Sequence, residues 1–192
     1  MATYYGYRYI PHGSYDEWKS ATIGNMYDVD GWYSGQCWDY CALCYHQYGL
    51  QLVTKAGGGV ARECWTVSRA VNSQPPFESV YNKTEIKRGD ILVFGAGYAG
   101  HICFADEDYN GTDYIRCLGQ NQRGGGGGYP ATLDNFRLAS FLGAFRNTNW
   151  QGDTPEPEPE PESGYNKHRY NFVLFNRRKR QEKWTKKPLK KR

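Results

Sequence analysis

Three kinds of side chain, far apart in the chain, are the parts of an acyl-transfer site. Cys37 ends the run Asp28-Val-Asp-Gly-Trp-Tyr-Ser-Gly-Gln-Cys-Trp-Asp39 and stands where a helix begins. His101 opens an apolar strand, and the amides of Gln120-Asn121-Gln122 follow the next one. A thiol at a helix start, an imidazole on a strand and an amide beyond it suit nucleophilic catalysis by cysteine. Free cysteine has a pKa of about 8.5, so a thiolate near neutral pH needs support. A helix N-terminus supplies only ~0.3–1 kcal/mol at an exposed site, and an imidazole partner must supply the rest. The histidines are His12, His46, His101 and His168. His12 precedes the first helix, His46 lies nine residues along the helix that Cys37 opens, and His168 is in the tail. His101 remains. Residues 101, 103 and 105 share a strand face, which puts Cys103 forward as a second thiol near the site. A lone Gly-His is ordinarily a surface histidine, and it is the Cys37 context that favours catalysis.

The loop before Cys37 is rich in oxygen. Asp28, Asp30 and Asp39 bring carboxylates, Ser34 a hydroxyl, and Trp32 only its backbone carbonyl. Relative positions 1, 3, 5, 7 and 12 mimic an EF-hand loop and suit calcium. The glycine falls at the fourth position instead of the sixth, and the twelfth is Asp instead of Glu. A solvated acidic turn is the alternative reading. A cation here would pin the loop that carries the nucleophile.

These groups need a frame. Ser14-Tyr15-Asp16-Glu17 is a capping box and starts a helix through about Thr22. Residues 36–48 form a second helix, stopped by Gly49. Val60, Cys64, Val67 and Val71 recur at helical spacing and predict a third over 60–71. After Pro75-Pro76 the pattern turns to strands at 91–94, 102–105, 114–118 and 141–146, with Asn110-Gly111 as a hairpin turn. Helices first and strands later indicate an α+β domain, N-terminal helices packed on an antiparallel sheet. Gly95-Ala-Gly97-Tyr-Ala-Gly100 matches a dinucleotide-binding glycine pattern, but a strand follows it, so it reads as a hairpin loop. Gly124–Gly128 lacks the Lys-Ser/Thr of a phosphate loop and reads as a lip beside the site or a plain flexible loop.

Of 192 residues, residues 1–150 suffice for one domain. Seventeen Tyr, six Trp and eight Phe provide a core first, and a groove for sugars or peptides second. The six cysteines, 37, 41, 44, 64, 103 and 117, read as reduced thiols made in a cytoplasm. Cys37, Cys41 and Cys44 share a helix face, where small buried thiols are a better reading than a metal cluster. The N-terminus has no apolar signal region and no stretch is long enough to span a membrane. The net charge of +4 hides an asymmetry: residues 1–150 carry −2, the Pro-Glu linker 151–163 carries −5, and the tail 164–192 carries +11. The linker reads as extended and self-repelling. The tail reads as a polycation for anionic wall polymers, nucleic acid or a membrane surface, or as a solvated remnant.

The segments Asp28–Asp39, Lys87-Arg-Gly-Asp-Ile-Leu-Val-Phe94, Gly100-His101-Ile and Gln120-Asn121-Gln122 together resemble the CHAP domain, the cysteine- and histidine-dependent amidohydrolases and peptidases of phage endolysins. The resemblance covers roughly residues 1–148. It implies a papain-like fold, with Cys37 as nucleophile, His101 as general base and acid, and Asn121 orienting the imidazole. It also implies a calcium loop like that of staphylococcal-phage members, with ligands at Asp28, Asp30, the Trp32 carbonyl, Ser34 and Asp39. Two positions depart from the pattern. Gly119 stands where those members often have Glu, which leaves Asn121 to hold the ring. Ser34 stands where a His is common, which bears on cation affinity. The expected function is peptidoglycan hydrolysis at a cross-bridge or stem-peptide amide. N-acetylmuramoyl-L-alanine amidase is the first alternative, and a non-catalytic wall or nucleic-acid binder the second. The expected protein is a monomer without a signal peptide that reaches the wall after release or is carried in the virion.

Overall fold

The computed structural model describes residues 1–56, 58–124 and 128–150; the linker 151–163 and the tail 164–192 lie outside the described residues. The chain begins with β1 (Thr3–Tyr5), α1 (Tyr15–Thr22) and β2 (Met26–Asp28), and β1 and β2 pair in parallel. Ser14 caps α1 by accepting from the Glu17 amide at 3.1 Å. The Glu17 carboxylate bonds the Gly13 amide at 3.0 Å, one residue earlier than the capping box expects. Next comes α2 (Cys37–Gln47), with Gln36 as N-cap and the turn at Gly49 (φ +70°) behind it. Residues Asp39 to Tyr45 are all buried, so α2 is a central helix with little amphipathic character.

The single helix expected over 60–71 is two short ones, α3 (Glu63–Thr66) and α4 (Arg69–Asn72). The chain breaks at Val67 and Ser68, where the Ser68 hydroxyl donates to the Thr54 carbonyl. Asn72 donates to the Val53 and Cys64 carbonyls. These polar ties outweigh the apolar period, and Val67 and Val71 face solvent while Cys64 is buried.

The remaining strands are β3 (Phe77–Val80), β4 (Ile91–Phe94), β5 (His101–Ala105), β6 (Tyr114–Gly119), β7 (Thr132–Arg137) and β8 (Phe141–Asn147). They form one antiparallel sheet in the order β3-β8-β4-β5-β6-β7. The α+β class and the helix-on-sheet arrangement are as expected. β3 and β7 were not, because Phe77–Val80 is short and Thr132–Arg137 is mostly polar, with apolar residues only at Leu133 and Phe136. The glycine run 95–100 does join β4 to β5 as a hairpin loop. Asn110-Gly111 is not a tight turn, since residues 106–113 form a wide loop between β5 and β6.

The sheet buries both faces. Ile91, Val93, Ile102, Phe104, Leu118 and Phe145 pack with Trp18, Tyr40 and Trp150 on the helical side. Leu92, Phe94, Cys103, Ala105, Ile115, Cys117 and Ala144 form a second apolar cluster on the other side, with Ile86 and Leu138. The two sets alternate along each strand, as the two-residue period requires. All six cysteines are free thiols, and five are buried. Among the described residues no helix is long and apolar enough to cross a membrane.

Candidate active site

Cys37 is the first residue of α2, and the loop before it is fixed from three sides. Asp39 reaches back over the helix start, accepting from the Gln36 amide at 2.8 Å and the Val29 amide at 2.9 Å. Gln120, fully buried at the end of β6, donates to the carbonyls of Tyr27 (2.9 Å) and Gln36 (3.0 Å) and accepts from the Tyr27 amide at 2.5 Å. Asn121, at φ +50°, donates from Nδ2 to Gln36 Oε1 at 2.6 Å. Gly35 leaves no room for a side chain, because a Cβ there would lie 2.5 Å from Met26 Cγ and 2.7 Å from the Tyr27 carbonyl. Strand β2, the nucleophile loop and the end of β6 are thus one hydrogen-bonded unit.

The amides of Ile102, Trp38 and Cys37 itself lie near the Cys37 sulfur and favour its anion. The Ile102 contact sets it against the start of β5, beside His101. Burial dominates these amides, with Asp39 adding to it, and pushes the thiol up to about 11. Burial also pushes His101 down to about 4, against the raising effect of Gln122 and the Asp134 carboxylate. The resting pair is therefore a neutral thiol and a neutral imidazole, not a preformed ion pair. The ring lies flat on Phe136 of β7, with centroids 4.7 Å apart and an angle of 7°. Cys103, put forward as a thiol near the site, is packed in the second apolar cluster with Cys117.

This burial of His101 carries a stability prediction. Its pKa falls from 6.5 to about 4 on folding, so the unfolded chain takes the proton first as pH drops. Folding should lose stability from pH 6.5 downward and stop losing it near pH 4. The total is on the order of ~3 kcal/mol at 1.36 kcal/mol per pH unit. His101→Phe should remove that part of the slope. Urea unfolding of both proteins at pH 7, 5.5 and 4 measures the difference, and parallel curves would show an exposed imidazole.

The loop carboxylates of Asp28, Asp30 and Asp39 lie within 4.8 Å of one another. Asp39 is pushed up to about 7, by burial first and then by the charges of Asp30 and Asp28, while the Gln36 and Val29 amides pull it down. Asp28 accepts from the Gly31 amide and Asp30 from the Trp32 amide, both at 2.8 Å. The Ser34 hydroxyl points to the Met26 sulfur at 3.9 Å. Tyr33 and Ser34 both hold positive φ, 62° and 61°, a strained conformation for a bulky residue such as Tyr33. Trp32 and Tyr33 on this loop are exposed, as is Tyr98 on the loop before His101.

The family pattern of the CHAP domain matches residues 26–121, from β2 through Asn121. The chain belongs to the CHAP domain family. A curated relative, the D-alanyl-L-alanine endopeptidase of Streptococcus phage B30, is 34% identical over 121 residues, 60% of this chain. The chain spans about a quarter of that relative's length, 26%. Among solved structures, the endolysin LysIME-EF1 is 24% identical with a TM-score of 0.55, covering 70% of this chain and 64% of that one. That likeness supports the CHAP fold described above.

The sequence carried Cys37, His101, Asn121 and the three aspartates. It gave Gln120 only as one of a run of amides and Gln36 only as the start of a helix, and it did not point to Phe136. Gln120 and Gln36 flank motif residues, and that adjacency was the only signal.

Proposed function

We propose that this CHAP domain is a peptidoglycan hydrolase that cleaves a peptide amide by a thiol acyl-enzyme route. The observation that carries the reading is Cys37 at the head of α2, its sulfur against the start of the strand that His101 opens. Cys37 attacks the amide carbonyl while His101 takes its proton. The N–H groups at the start of α2 face the oxygen that becomes an oxyanion. His101 passes the proton to the amine, the C–N bond breaks, and a thioester remains. Water attacks the thioester, giving a proton through His101 back to the sulfur and releasing the acid. A buried imidazole with its pKa near 4 is a base that stays unprotonated at working pH, so transfer occurs during attack. Asn121 holds the Gln36 end of the loop. The exposed Trp32, Tyr33 and Tyr98 offer stacking faces to a sugar-peptide substrate.

Within the wall, the reading favours a peptide bond over the N-acetylmuramoyl-L-alanine amide, since the streptococcal-phage relative is named for a D-alanyl-L-alanine bond. The protein then acts on the wall after release or from a virion. Mass spectrometry of fragments from digested walls tests this. New N-terminal alanine with the muramoyl–L-alanine amide intact supports the endopeptidase, free lactyl-muramic ends (which also free the alanine of the stem) the amidase, and no fragments the non-catalytic alternative.

Calcium is proposed as a structural ion. The convergence of three carboxylates with the raised pKa of Asp39 fits a cation. Asp28, Asp30 and Asp39 would hold it with the Trp32 carbonyl and Ser34, and it would supply positive charge that stiffens the loop. Chelation should lower the melting temperature by several degrees, with calcium restoring it better than magnesium. Asp28→Ala with Asp30→Ala should erase the response. A melting temperature indifferent to chelator and calcium would reduce the loop to an acidic turn.

The tail is proposed as a tether to anionic wall polymers, on the strength of its +11 charge beyond a −5 linker. Deleting 151–192 should leave cleavage of a small soluble peptide intact. It should weaken binding to intact walls, most at low salt, because exposed charges are screened beyond about 8 Å at physiological ionic strength. Equal wall binding by the two proteins at low salt would remove that role.

A further inference from the structure

Gly119 closes β6 without a side chain. A Cβ built on Gly119 would lie 2.8 Å from Cys103 Cβ, closer than real Cβ atoms come, and 3.4 Å from Gln122 Oε1. That space is filled by two neighbours, a thiol from β5 and the amide of Gln122. The amide is itself held. Gln122 Nε2 donates to the Cys117 carbonyl at 3.3 Å and to the Thr132 carbonyl. With both hydrogens committed to main-chain oxygens, Oε1 can only accept. Oε1 of Gln122 and Nε2 of His101 are both buried, and neither makes a hydrogen bond of regular geometry to any described residue. One is an acceptor and the other is able to donate.

We propose that Gln122 is the positioning residue for His101 in this chain. Its Oε1 accepts from the imidazole Nε2–H, which fixes the tautomer and leaves the Nδ1 lone pair to take a proton from Cys37. The inference rests on the reading of His101 as the base. The interaction of the two side chains raises the imidazole pKa against the lowering by burial. The charged group acting on the ring is Asp134 of β7, and Cys103 stands two residues along the ring's own strand. A neutral carbonyl orients the ring without the stabilisation that a carboxylate would give an imidazolium. This matches a base that rests neutral. Asn121, on this account, serves the nucleophile loop through Gln36, and Gln122 serves the ring.

Nitrogen-15 NMR of the imidazole groups in the full chain tests this. In the wild type, His101 should be in the Nε2–H tautomer, with that proton slow to exchange. Gln122→Met keeps the side-chain length and removes the acceptor. It should release the tautomer preference and lower kcat roughly tenfold to a hundredfold, the cost of a misplaced catalytic group, with KM little changed. Gln122→Glu should raise the His101 pKa by about one unit or more, as a neighbouring carboxylate does. A wild-type His101 in the Nδ1–H tautomer would overturn the proposal. So would a folded Gln122→Met protein with unchanged imidazole shifts and titration. If Gln122→Met does not fold, the wild-type tautomer and the Gln122→Glu titration decide. Lysis that survives His101→Ala would remove the catalytic reading alone, because the NMR measurements report on the Gln122–His101 contact whether or not His101 is the base.

Discussion

Cys37→Ser should abolish wall lysis, a loss of roughly 10³-fold or more, as removal of a nucleophile does elsewhere. Serine is nearly the same size and leaves the sulfur's place against the Ile102, Trp38 and Cys37 amides filled by an oxygen. The melting temperature should therefore move by no more than a few degrees. The chemistry fails because a hydroxyl is a far weaker acid than a thiol, and His101, with a pKa near 4, is a weak base. His101→Ala should be as damaging, and a thiol alkylator should stop wild-type lysis. Asn121→Ala should cost less, because its Nδ2 steadies Gln36 and an amide takes no part in the bond-making. Clearing of a wall suspension, followed optically, measures all of these. Lysis by the Cys37→Ser protein would end the proposed mechanism.

Gln120→Leu should be the most destabilising single change in the neighbourhood of the site. Its fully buried amide satisfies the Tyr27 amide and the carbonyls of Tyr27 and Gln36. Leucine leaves three backbone groups without those partners, at ~1–3 kcal/mol for each one that stays buried. A loss on the order of ~3–5 kcal/mol follows, a large part of a typical domain's stability. The damage is also directional, since β2 and the Gln36 end of the loop come free of β6. Activity should fall even at temperatures where the variant remains folded. Urea unfolding and lysis rates at low temperature separate the two effects. A loss below about 1 kcal/mol would mean that water replaces the amide.

The residue pattern located α1, α2, β4, β5, β6 and β8 to within a residue or so, because each couples an apolar period to a local stop. Gln36 and Gly49 bracket α2, and the glycines 95–100 separate β4 from β5. It failed where the deciding contacts are distant in sequence. The Ser68 bond to Thr54 and the Asn72 bonds to Val53 and Cys64 break the helix expected over 60–71. Cys103 looked like a site thiol because it alternates with His101. Its face of the sheet is instead closed by a second apolar cluster that includes Leu92, Ile115 and Leu138, and the strand pattern alone does not reveal a second layer.

For the site, residue type and order put forward Cys37, His101 and the aspartates of the loop, because few side chains suit thiol chemistry or a hard cation, and the family resemblance added Asn121. What holds them came only from the tertiary structure. Gln120 reaches Tyr27 across 93 positions and Asn121 reaches Gln36 across 85. Phe136 stacks on His101 from β7, and the missing side chain at Gly119 leaves Gln122 Oε1 beside the ring's strand. The ionisation states belong to the fold as well. Sequence context alone favoured an activated thiolate, whereas burial raises Cys37 and lowers His101. The reason is that chemical identity is a property of the residue, while orientation and desolvation depend on neighbours that only folding brings together.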